Sequence, residues 1–338
     1  MTPPAAQVSW SRHGDQDCLR LHGLASASRV EVRPASAATG TAPAMAGRLV
    51  RDGERGYFVP RFPFMAGTRY TVTVDGATVA DLLRPVAPHP PAVEVAAIYP
   101  SAPVVPRNLL RCYVWFTAPM SEGCAASQLR LVDESGGAMA GALLSTEDEL
   151  WDAERRRLTV LLDPARIKRG LLTHRQVGYP LRTGEPFRLV VEAGFRDSRG
   201  APLRRGAQRR YEVGGDERRL VDPAGWSIAA PRGGTREPLR VAFDRPLDHG
   251  LLLRCLRVLD PAGRPVGGTV RVGAGERDWW LAPRRPWAAG PHRLGVDPVL
   301  EDVAGNSVTR VFDRDLTRPG LQTGTAAPIE LPFQPAAS

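Results

Sequence analysis

The chain has 338 residues, which predicts two or three domains, and Gly (34) and Pro (32) together make about a fifth of it. With 43% hydrophobic and 24% charged residues, the composition excludes a helical bundle and a wholly disordered chain. The net charge is +9, but Lys168 is the only lysine and the arginines are scattered, which argues against nucleic acid as a partner. No apolar run reaches the roughly 18 residues of a membrane span, and the N-terminus shows no signal-peptide pattern.

Strand patterns begin in the first ninety residues. Residues 70–74 are β-branched or aromatic and precede an Asp75-Gly76 turn, as expected of a strand that ends in a hairpin. The proline-rich segment 84–91 predicts an extended spacer. We therefore expect a first unit, a divergent Ig-like sandwich, over residues 1–88.

A second unit is predicted over residues 92–214. Residues 110–116 alternate between apolar and other side chains, which is the period of a strand whose faces meet different environments. A second apolar run, 187–191, precedes an Asp-x-x-Gly turn at 197–200. The Gly-rich and charged segment 214–219 is expected to separate this unit from the next.

A third unit repeats the second. Residues 114–120 align with 241–247 at an offset of 127, and residues 188–200 align with 293–305 at an offset of 105. The second unit is therefore 22 residues longer, with the insert between about 144 and 187. We place the third unit at 220–316 and expect a flexible tail over 317–338.

Short strands and turns that recur three times along the chain predict an all-β protein. The expected architecture is three tandem Ig-like or fibronectin-like β-sandwiches of about a hundred residues each. The four cysteines do not recur at equivalent positions and have no close spacing, so buried free thiols are expected rather than disulfides or a metal site.

Two motifs of the second and third units resemble a known family. Residues 116–120 read Phe-x-x-Pro-Met, and residues 302–306 read Asp-x-x-Gly-Asn, with 197–201 as their counterpart. This pattern is similar to the bacterial SbsA-type Ig-like domain of surface-layer proteins. The resemblance implies an Ig-like fold and an envelope or extracellular setting, and it carries over no catalytic residue.

The insert is the most individual feature of the sequence. Asp163 is expected to cap a short helix that begins at Pro164, with Lys168 and Arg169 in its last turn. One interpretation is a local helical turn with favourably placed charges. The other is a cationic knob that grips an anionic polymer or a partner carboxylate, and its binding residues would be Arg166, Lys168, Arg169, His174 and Arg175.

Three other features have a structural and a chemical interpretation. The acidic stretch 147–152 is expected to be a solvated hairpin tip rather than a carboxylate pair or a calcium site. Residues 302–306 are expected to form a tight turn rather than a calcium loop. Adjacent Trp279 and Trp280 cannot both face inward on a strand, so one of them is expected to stack on a sugar ring or to pack between domains.

No catalytic motif, metal-ligand spacing or cofactor-binding loop occurs in the sequence, and no cofactor is expected. We expect a non-enzymatic structural, spacer or adhesive protein of the bacterial cell envelope or exterior. The alternatives are a module that binds carbohydrate or an anionic envelope polymer, and an accessory protein or unrecognised hydrolase. Partners would be a protein or an envelope polymer, and without a signal peptide a cytoplasmic location stays open.

Overall fold

The computed structural model describes residues 7–25, 27–34, 44–53, 55–86, 93–144, 148–315 and 327–337. These residues form six sheets of three or four strands, which pair into three Ig-like β-sandwiches in series. Each sandwich has its own cluster of buried apolar side chains. The predicted all-β tandem architecture is therefore confirmed. In the described ranges, no helix has the length and apolar character needed to cross a membrane.

The first unit packs a four-stranded sheet against a three-stranded sheet. Its strands are β1 (Gln7–His13), β2 (Gln16–His22), β3 (Val30–Pro34), β4 (Gly47–Asp52), β5 (Arg55–Pro60), β6 (Arg69–Val74) and β7 (Ala77–Leu83). The sheet orders are β1-β2-β5-β4 and β3-β6-β7. Alternate residues such as Tyr70 and Val72 on β6 face the core, as the sequence pattern predicts. The predicted spacer lies outside the described residues from position 87 to 92.

The strands of the second unit are β8 (Val95–Tyr99), β9 (Val104–Pro106), β10 (Arg111–Phe116), β11 (Leu129–Asp133), β12 (Leu150–Trp151), β13 (Arg157–Leu161), β14 (Phe187–Val191) and β15 (Ala207–Gly214). They form two four-stranded sheets, β12-β13-β10-β8 and β11-β14-β15-β9. Its short helices are α1 (Ala125–Gln128), α2 (Pro164–Ile167) and α3 (Leu172–Val177). On β10, Cys112, Val114 and Phe116 face the core, yet Tyr113 on the opposite face is buried as well.

The strands of the third unit are β16 (Ser227–Ala229), β17 (Leu239–Ala242), β18 (Leu256–Leu259), β19 (Gly268–Val272), β20 (Asp278–Pro283), β21 (His292–Val296) and β22 (Ile329–Phe333). Its sheets are ordered β16-β17-β20-β19 and β18-β21-β22. It also contains helix α4 (His249–Leu252) and 3₁₀ turns at Pro223–Gly225 and Ala274–Glu276. Trp279 and Trp287 fill its core.

The expectation of a flexible tail over 317–338 is wrong for the part that the structure describes. Strand β22 pairs antiparallel with β21, from His292 opposite Phe333 to Val296 opposite Ile329. Phe333 is buried in the core of the third unit, while Glu330 and Pro332 point outward. The alternation of Ile, Leu and Phe is a strand pattern, but the surrounding Pro and Ala residues hide it in the sequence.

The insert of the second unit contains α2 and α3. Asp163 caps α2 as predicted, because its carboxylate accepts a hydrogen bond from the Ala165 N–H at 2.8 Å. The helix is shorter than expected, however. It ends at Ile167 with Lys168 as its C-cap, so Lys168 and Arg169 lie beyond its last turn.

The four cysteines are free and buried, as expected from their spacing. The repeat alignment also holds in three dimensions, since Met120 pairs with Asp197 in one unit and the equivalent Leu247 pairs with Asp302 in the other. The predicted Asp-x-x-Gly turns are present at both places.

Two glycines of these turns have both a left-handed backbone and a close neighbour. Gly200 (φ +82°) and Gly305 (φ +81°) would direct a Cβ against the preceding unit, 2.0 Å from the Ala66 nitrogen and 2.4 Å from a Leu110 methyl carbon. Gly136 has the same backbone conformation (φ +87°) with open space around it. Backbone strain therefore acts at all three positions, and a steric conflict acts only at the first two.

We predict that Gly200→Ala and Gly305→Ala lower the free energy of unfolding by more than Gly136→Ala does. The control substitution is expected to cost about 1 kcal/mol through backbone strain, and the other two at least about twice that. Urea unfolding measures all three variants. Equal costs at the three positions would contradict contact between the turns and the preceding units.

Candidate functional site

The outer face of β10 is where the second unit meets the third. The Tyr113 hydroxyl donates to the Asp248 carboxylate, with distances of 2.7 and 2.9 Å to its two oxygens. The Leu110 N–H donates to the Val303 carbonyl at 3.0 Å. Val303 belongs to the hydrophobic core of the second unit although it lies in a turn of the third. The two sandwiches therefore share buried apolar contacts as well as hydrogen bonds.

Asp313 is the most heavily bonded carboxylate of this junction, and it is fully buried. It accepts from the Tyr179 hydroxyl at 2.7 Å, the Arg218 Nε at 2.9 Å, and the Asn108 Nδ2 and Arg169 Nε at 3.3 Å. Tyr179, Asn108 and Arg169 belong to the second unit. Because a buried carboxylate needs such donors to offset its lost hydration, this contact favours one orientation of the two units.

A second buried group surrounds Arg111 at the edge of the same face. Its guanidinium donates to Glu301 and lies 3.4 Å from the Asp248 carboxylate, again across the junction. Asp248 also caps α4, because it accepts from the Leu251 N–H at 2.9 Å. Burial raises the pKa of the Tyr113 hydroxyl, and the neighbouring Asp248 carboxylate adds to that shift. Tyr113 therefore stays a neutral donor to Asp248.

A third contact involves Glu276, whose side chain is fully buried. Its carboxylate accepts from the Ser101 N–H at 2.8 Å and from the Ala102 N–H at 3.3 Å, both in the second unit. The Ser101 hydroxyl in turn accepts from the Gly275 N–H at 2.8 Å. Nearby, the ring of His249 stacks on that of Tyr99 at a centroid distance of 3.5 Å.

The connecting segment 214–219 lies at this junction and is hydrogen-bonded to both units. Arg107 donates to both oxygens of Asp216 at 2.7 Å, and its guanidinium lies 4.3 Å from the ring centroid of Tyr179. The Glu217 carbonyl accepts from Asn108 at 2.7 Å and from Asn306 at 2.9 Å. Side chains of both units therefore bind the connecting backbone.

Asp302 is buried at the centre of the predicted tight turn. Its carboxylate accepts from the Ala304 and Asn306 backbone N–H groups at 3.0 and 2.9 Å, and it lies 3.1 Å from the Arg245 Nε. Arg245 also donates to the Leu220 carbonyl at 2.6 Å. Burial raises the pKa of Asp302 to about 6 and outweighs the opposing effect of these donors.

The equivalent turn of the second unit contacts the first. Asp197 accepts from the Arg199 and Ala201 N–H groups at 2.9 Å, the same two turn positions as in the third unit. The Arg199 carbonyl then accepts from the Ala66 N–H at 3.1 Å. Met65 packs on the core of the second unit, with its sulfur 3.9 Å from that of Cys124. Each Asp-x-x-Gly turn thus contacts the preceding unit.

The basic residues of the insert do not form the projecting knob that the sequence suggested. Arg166 donates to the carbonyls of Gly141, Gly178 and Tyr179, so its guanidinium holds the insert together. His174 Nδ1 lies 2.5 Å from the Arg166 carbonyl.

The remaining insert residues divide between the junction and solvent. Lys168 lies over the Phe312 ring at 4.5 Å, and Arg169 binds Asp313, so both of these cations face the third unit. Arg175 is exposed on α3. A role for the five insert residues in ligand binding stays a prediction.

The adjacent tryptophans lie on opposite faces of β20. Trp279 is buried and donates from Nε1 to the Leu252 carbonyl at 3.1 Å. Trp280 is half-buried, and the Arg240 guanidinium lies 5.1 Å from its ring centroid. The arginine covers one face of the tryptophan that could have stacked on a sugar, and sugar binding at this pair stays a prediction.

The acidic stretch 147–152 is not a solvated hairpin tip. Glu147 lies outside the described residues, but Glu149 accepts from the Ala125 N–H at 2.6 Å and from the Trp151 Nε1 at 2.7 Å. One wall of a cleft between the first and second units is lined by Asp148, Glu149, Trp151, Asp152, Ala153 and Arg155. The expectation failed because the opposite wall is distant in sequence.

Sequence reasoning missed Asn108, Tyr113, Asp248 and Asp313 as junction residues. Their partners lie far away along the chain, 205 positions apart for Asn108 and Asp313. The available signals were Tyr113 and Trp115, two aromatic residues on the outward face of a predicted strand. Large rings at such positions are consistent with a strand that another unit covers on its outer face.

No known family profile matches the chain, and no curated protein matches it. Among solved structures it is similar to the chicken CNTN1 FN1–FN3 domains, with 11% identity over 98% of this chain and 99% of that chain and a TM-score of 0.22. It is similar to FdeC, an Escherichia coli adhesin, with 13% identity over 99% of this chain and 98% of that chain and a TM-score of 0.20. A third similar structure is native α-2-macroglobulin from Escherichia coli spanning domains MG0-NIE-MG1. The identity is 9% over 60% of this chain and 66% of that chain, and the TM-score is 0.24.

The raised pKa of Asp302 predicts a pH-dependent stability. Between about pH 4 and pH 6 the folded chain binds more protons at this carboxyl than the unfolded chain does. Its contribution to the free energy of unfolding is therefore greatest at low pH and decreases as pH rises through that window. Between pH 4 and pH 7, the free energy of unfolding of the wild type is expected to fall by up to about 3 kcal/mol relative to that of Asp302→Asn. Urea unfolding at a series of pH values measures the difference, and a difference that does not change with pH would contradict the prediction.

Proposed function

We propose that this chain is a non-enzymatic structural module, a spacer or adhesive scaffold in which successive Ig-like units hold one fixed orientation. The observation that carries this proposal is the buried Asp313, which accepts hydrogen bonds from the second unit and from the connecting segment. A flexible string of domains would leave this carboxylate buried without donors whenever the units separated. The lost bonds would oppose that separation.

The repeated use of one turn supports the same role. At both junctions an Asp-x-x-Gly turn accepts a backbone N–H from the preceding unit, at 3.1 Å for Ala66 and 3.0 Å for Leu110. Since every unit after the first presents this turn, the arrangement sets a relative position for each added sandwich. A scaffold that holds binding surfaces at a fixed separation needs this property.

We further propose an SbsA-type assignment and a place at the bacterial cell envelope or outside the cell. This rests on the Phe-x-x-Pro-Met and Asp-x-x-Gly-Asn motifs and on the structural use of both. Met120 and Asp197 pair directly, and so do the equivalent Leu247 and Asp302. The motifs thus form one structural unit in the second and in the third sandwich.

We predict that Asp313→Ala uncouples the second and third units. Removing the acceptor leaves Tyr179 and the partly exposed Arg169 and Arg218 without this carboxylate, although Arg218 keeps its ion pair with Asp216, and the expected cost is about 2–3 kcal/mol. In differential scanning calorimetry the wild-type units are expected to unfold in one transition, and the variant units in two.

Two controls accompany this experiment. Tyr179→Phe removes one hydrogen bond to Asp313 and is expected to cost about 1 kcal/mol while the single transition is kept. Glu330→Ala breaks an exposed ion pair with Arg293 and is expected to cost less than about 1 kcal/mol. If Asp313→Ala behaves like Glu330→Ala, the junction does not couple the units.

The location has its own test. Antibody detection in fractionated source cells is expected to find the chain in the envelope fraction or in the medium. A cytosolic marker protein controls for lysis during fractionation. Recovery of the chain with that marker alone would contradict the envelope assignment without affecting the scaffold role.

A further inference from the structure

A cleft of about 820 Å³ lies between the first and second units. Arg61 and Phe62 of the first unit form one wall, and Glu122, Trp151 and Arg155 of the second unit form much of the other. Its volume is within the range of about 300–1,000 Å³ that small-molecule sites occupy. Because both units contribute, the cleft exists only when the first junction is formed.

The aromatic rings of the cleft are held in place. Trp151 donates from Nε1 to Glu149, and its ring packs near Phe116 and Phe195 at centroid distances of 5.8 and 6.0 Å. Phe62 lies beneath the Arg61 and Arg155 guanidinium groups, at 5.4 and 5.8 Å from its ring centroid. Rigid rings of this kind are suited to stacking against a flat apolar face of a ligand.

Arg155 lies in the hairpin turn between β12 and β13. Its backbone is left-handed (φ +53°), as such a turn requires, and its N–H donates to the Asp152 carbonyl at 3.0 Å. Its Nη1 is shielded from solvent and donates no hydrogen bond within the described part of the chain. A shielded guanidinium donor without an acceptor is expensive, and an acceptor from a ligand would satisfy it.

Glu122 supplies an acceptor on the same wall. It is half-buried, and neither a hydrogen bond nor an ion pair of its carboxylate is found among the described residues. Burial and the nearby Glu149 raise the pKa of its carboxyl group against the opposing effect of Arg155 and Arg61. The cleft therefore presents an available acceptor and an available donor close to fixed aromatic rings.

The charges of the cleft restrict the class of ligand. Both signs of charge line the cleft, with carboxylates of Glu122, Asp148, Glu149 and Asp152 and guanidinium groups of Arg61 and Arg155, and the excess of carboxylates disfavours an anion. Glu149 and Asp152 already accept hydrogen bonds from N–H groups of the second unit. A neutral molecule that carries both donors and acceptors can bind the mixed lining without bringing a charge of its own. Hydroxyl groups can donate to Glu122 and accept from Arg155, and the apolar face of a sugar ring can stack on Trp151.

We propose that this cleft binds a neutral carbohydrate. The site goes beyond the scaffold role, because it gives the first junction a recognition surface of its own. It uses neither the basic insert residues nor Trp280, where sugar or polymer binding was predicted from the sequence. It is also separate from Asp313, so the two proposals can fail independently.

Neutral oligosaccharides test the proposal on the full chain. Maltotetraose, cellotetraose, mannotetraose and the tetramer of N-acetylglucosamine are titrated up to about 10 mM, with saturation-transfer NMR and calorimetry as readouts. At least one sugar is expected to bind the wild type. Glu122→Gln and Arg155→Gly are expected to weaken that binding about tenfold or more.

The variants separate binding from folding. Glycine adopts the left-handed backbone of position 155 without strain, and this relief offsets the lost contact between the guanidinium and the Phe62 ring. Arg155→Gly is therefore expected to change stability by less than about 1 kcal/mol while it removes the donor. Glu185→Gln, an exposed carboxylate change elsewhere in the second unit, is the matched control and is expected to leave binding unchanged.

Two results would overturn the proposal. The first is that none of the four sugars binds the wild type. The second is that a sugar binds equally well to Glu122→Gln, Arg155→Gly and wild type, which would place it elsewhere. The calorimetric transitions of Asp313→Ala, at the other junction, report on the scaffold role whichever of these occurs.

Discussion

Burial of charge between the second and third units is the constraint on which the rest of the structure depends. Asp313, Glu276, Asp248 and Asp302 are almost completely removed from water, and the first three accept hydrogen bonds from the second unit. Removing a carboxylate from water costs several kcal/mol unless donors replace the lost hydration. These donors are correctly placed in only one relative position of the two sandwiches. The contact therefore specifies an orientation even where its net contribution to stability is small.

The first junction uses the same turn with a different balance of interactions. Gly200 lies against the backbone of Ala66, and Met65 enters the apolar surface of the second unit, so close packing replaces the buried ion pairs. The charged groups at this junction, Glu122 and Arg155 among them, line an open cleft instead. A junction whose buried carboxylates accept hydrogen bonds from the neighbouring unit suits a spacer, whereas an open cleft lined by polar and aromatic groups suits recognition. The two proposals assign these roles to the two ends of the middle unit.

Much of the fold follows from local sequence signals, and most of the site does not. The alternation over 110–116, the Asp163 cap and the Asp302 turn are local, because a few neighbouring residues determine each of them. Strand β22 was missed because prolines and alanines surround its short apolar alternation. The partners of Asp313 and the cleft wall opposite Trp151 belong to other units, so no spacing within one unit could indicate them. The aromatic residues Tyr113 and Trp115 on the outward face of β10 were the local sequence signal of the junction.

A distance measurement across the second junction tests the central claim most directly. Spin labels at Ala126→Cys and Ala262→Cys occupy exposed positions in the second and third units, while the four native cysteines are buried. Pulsed electron paramagnetic resonance is expected to give one narrow distance distribution that high salt leaves unchanged, because salt screens buried charges only weakly. A broad distribution, or one that broadens as salt is added, would show that the units move independently and would contradict a fixed scaffold.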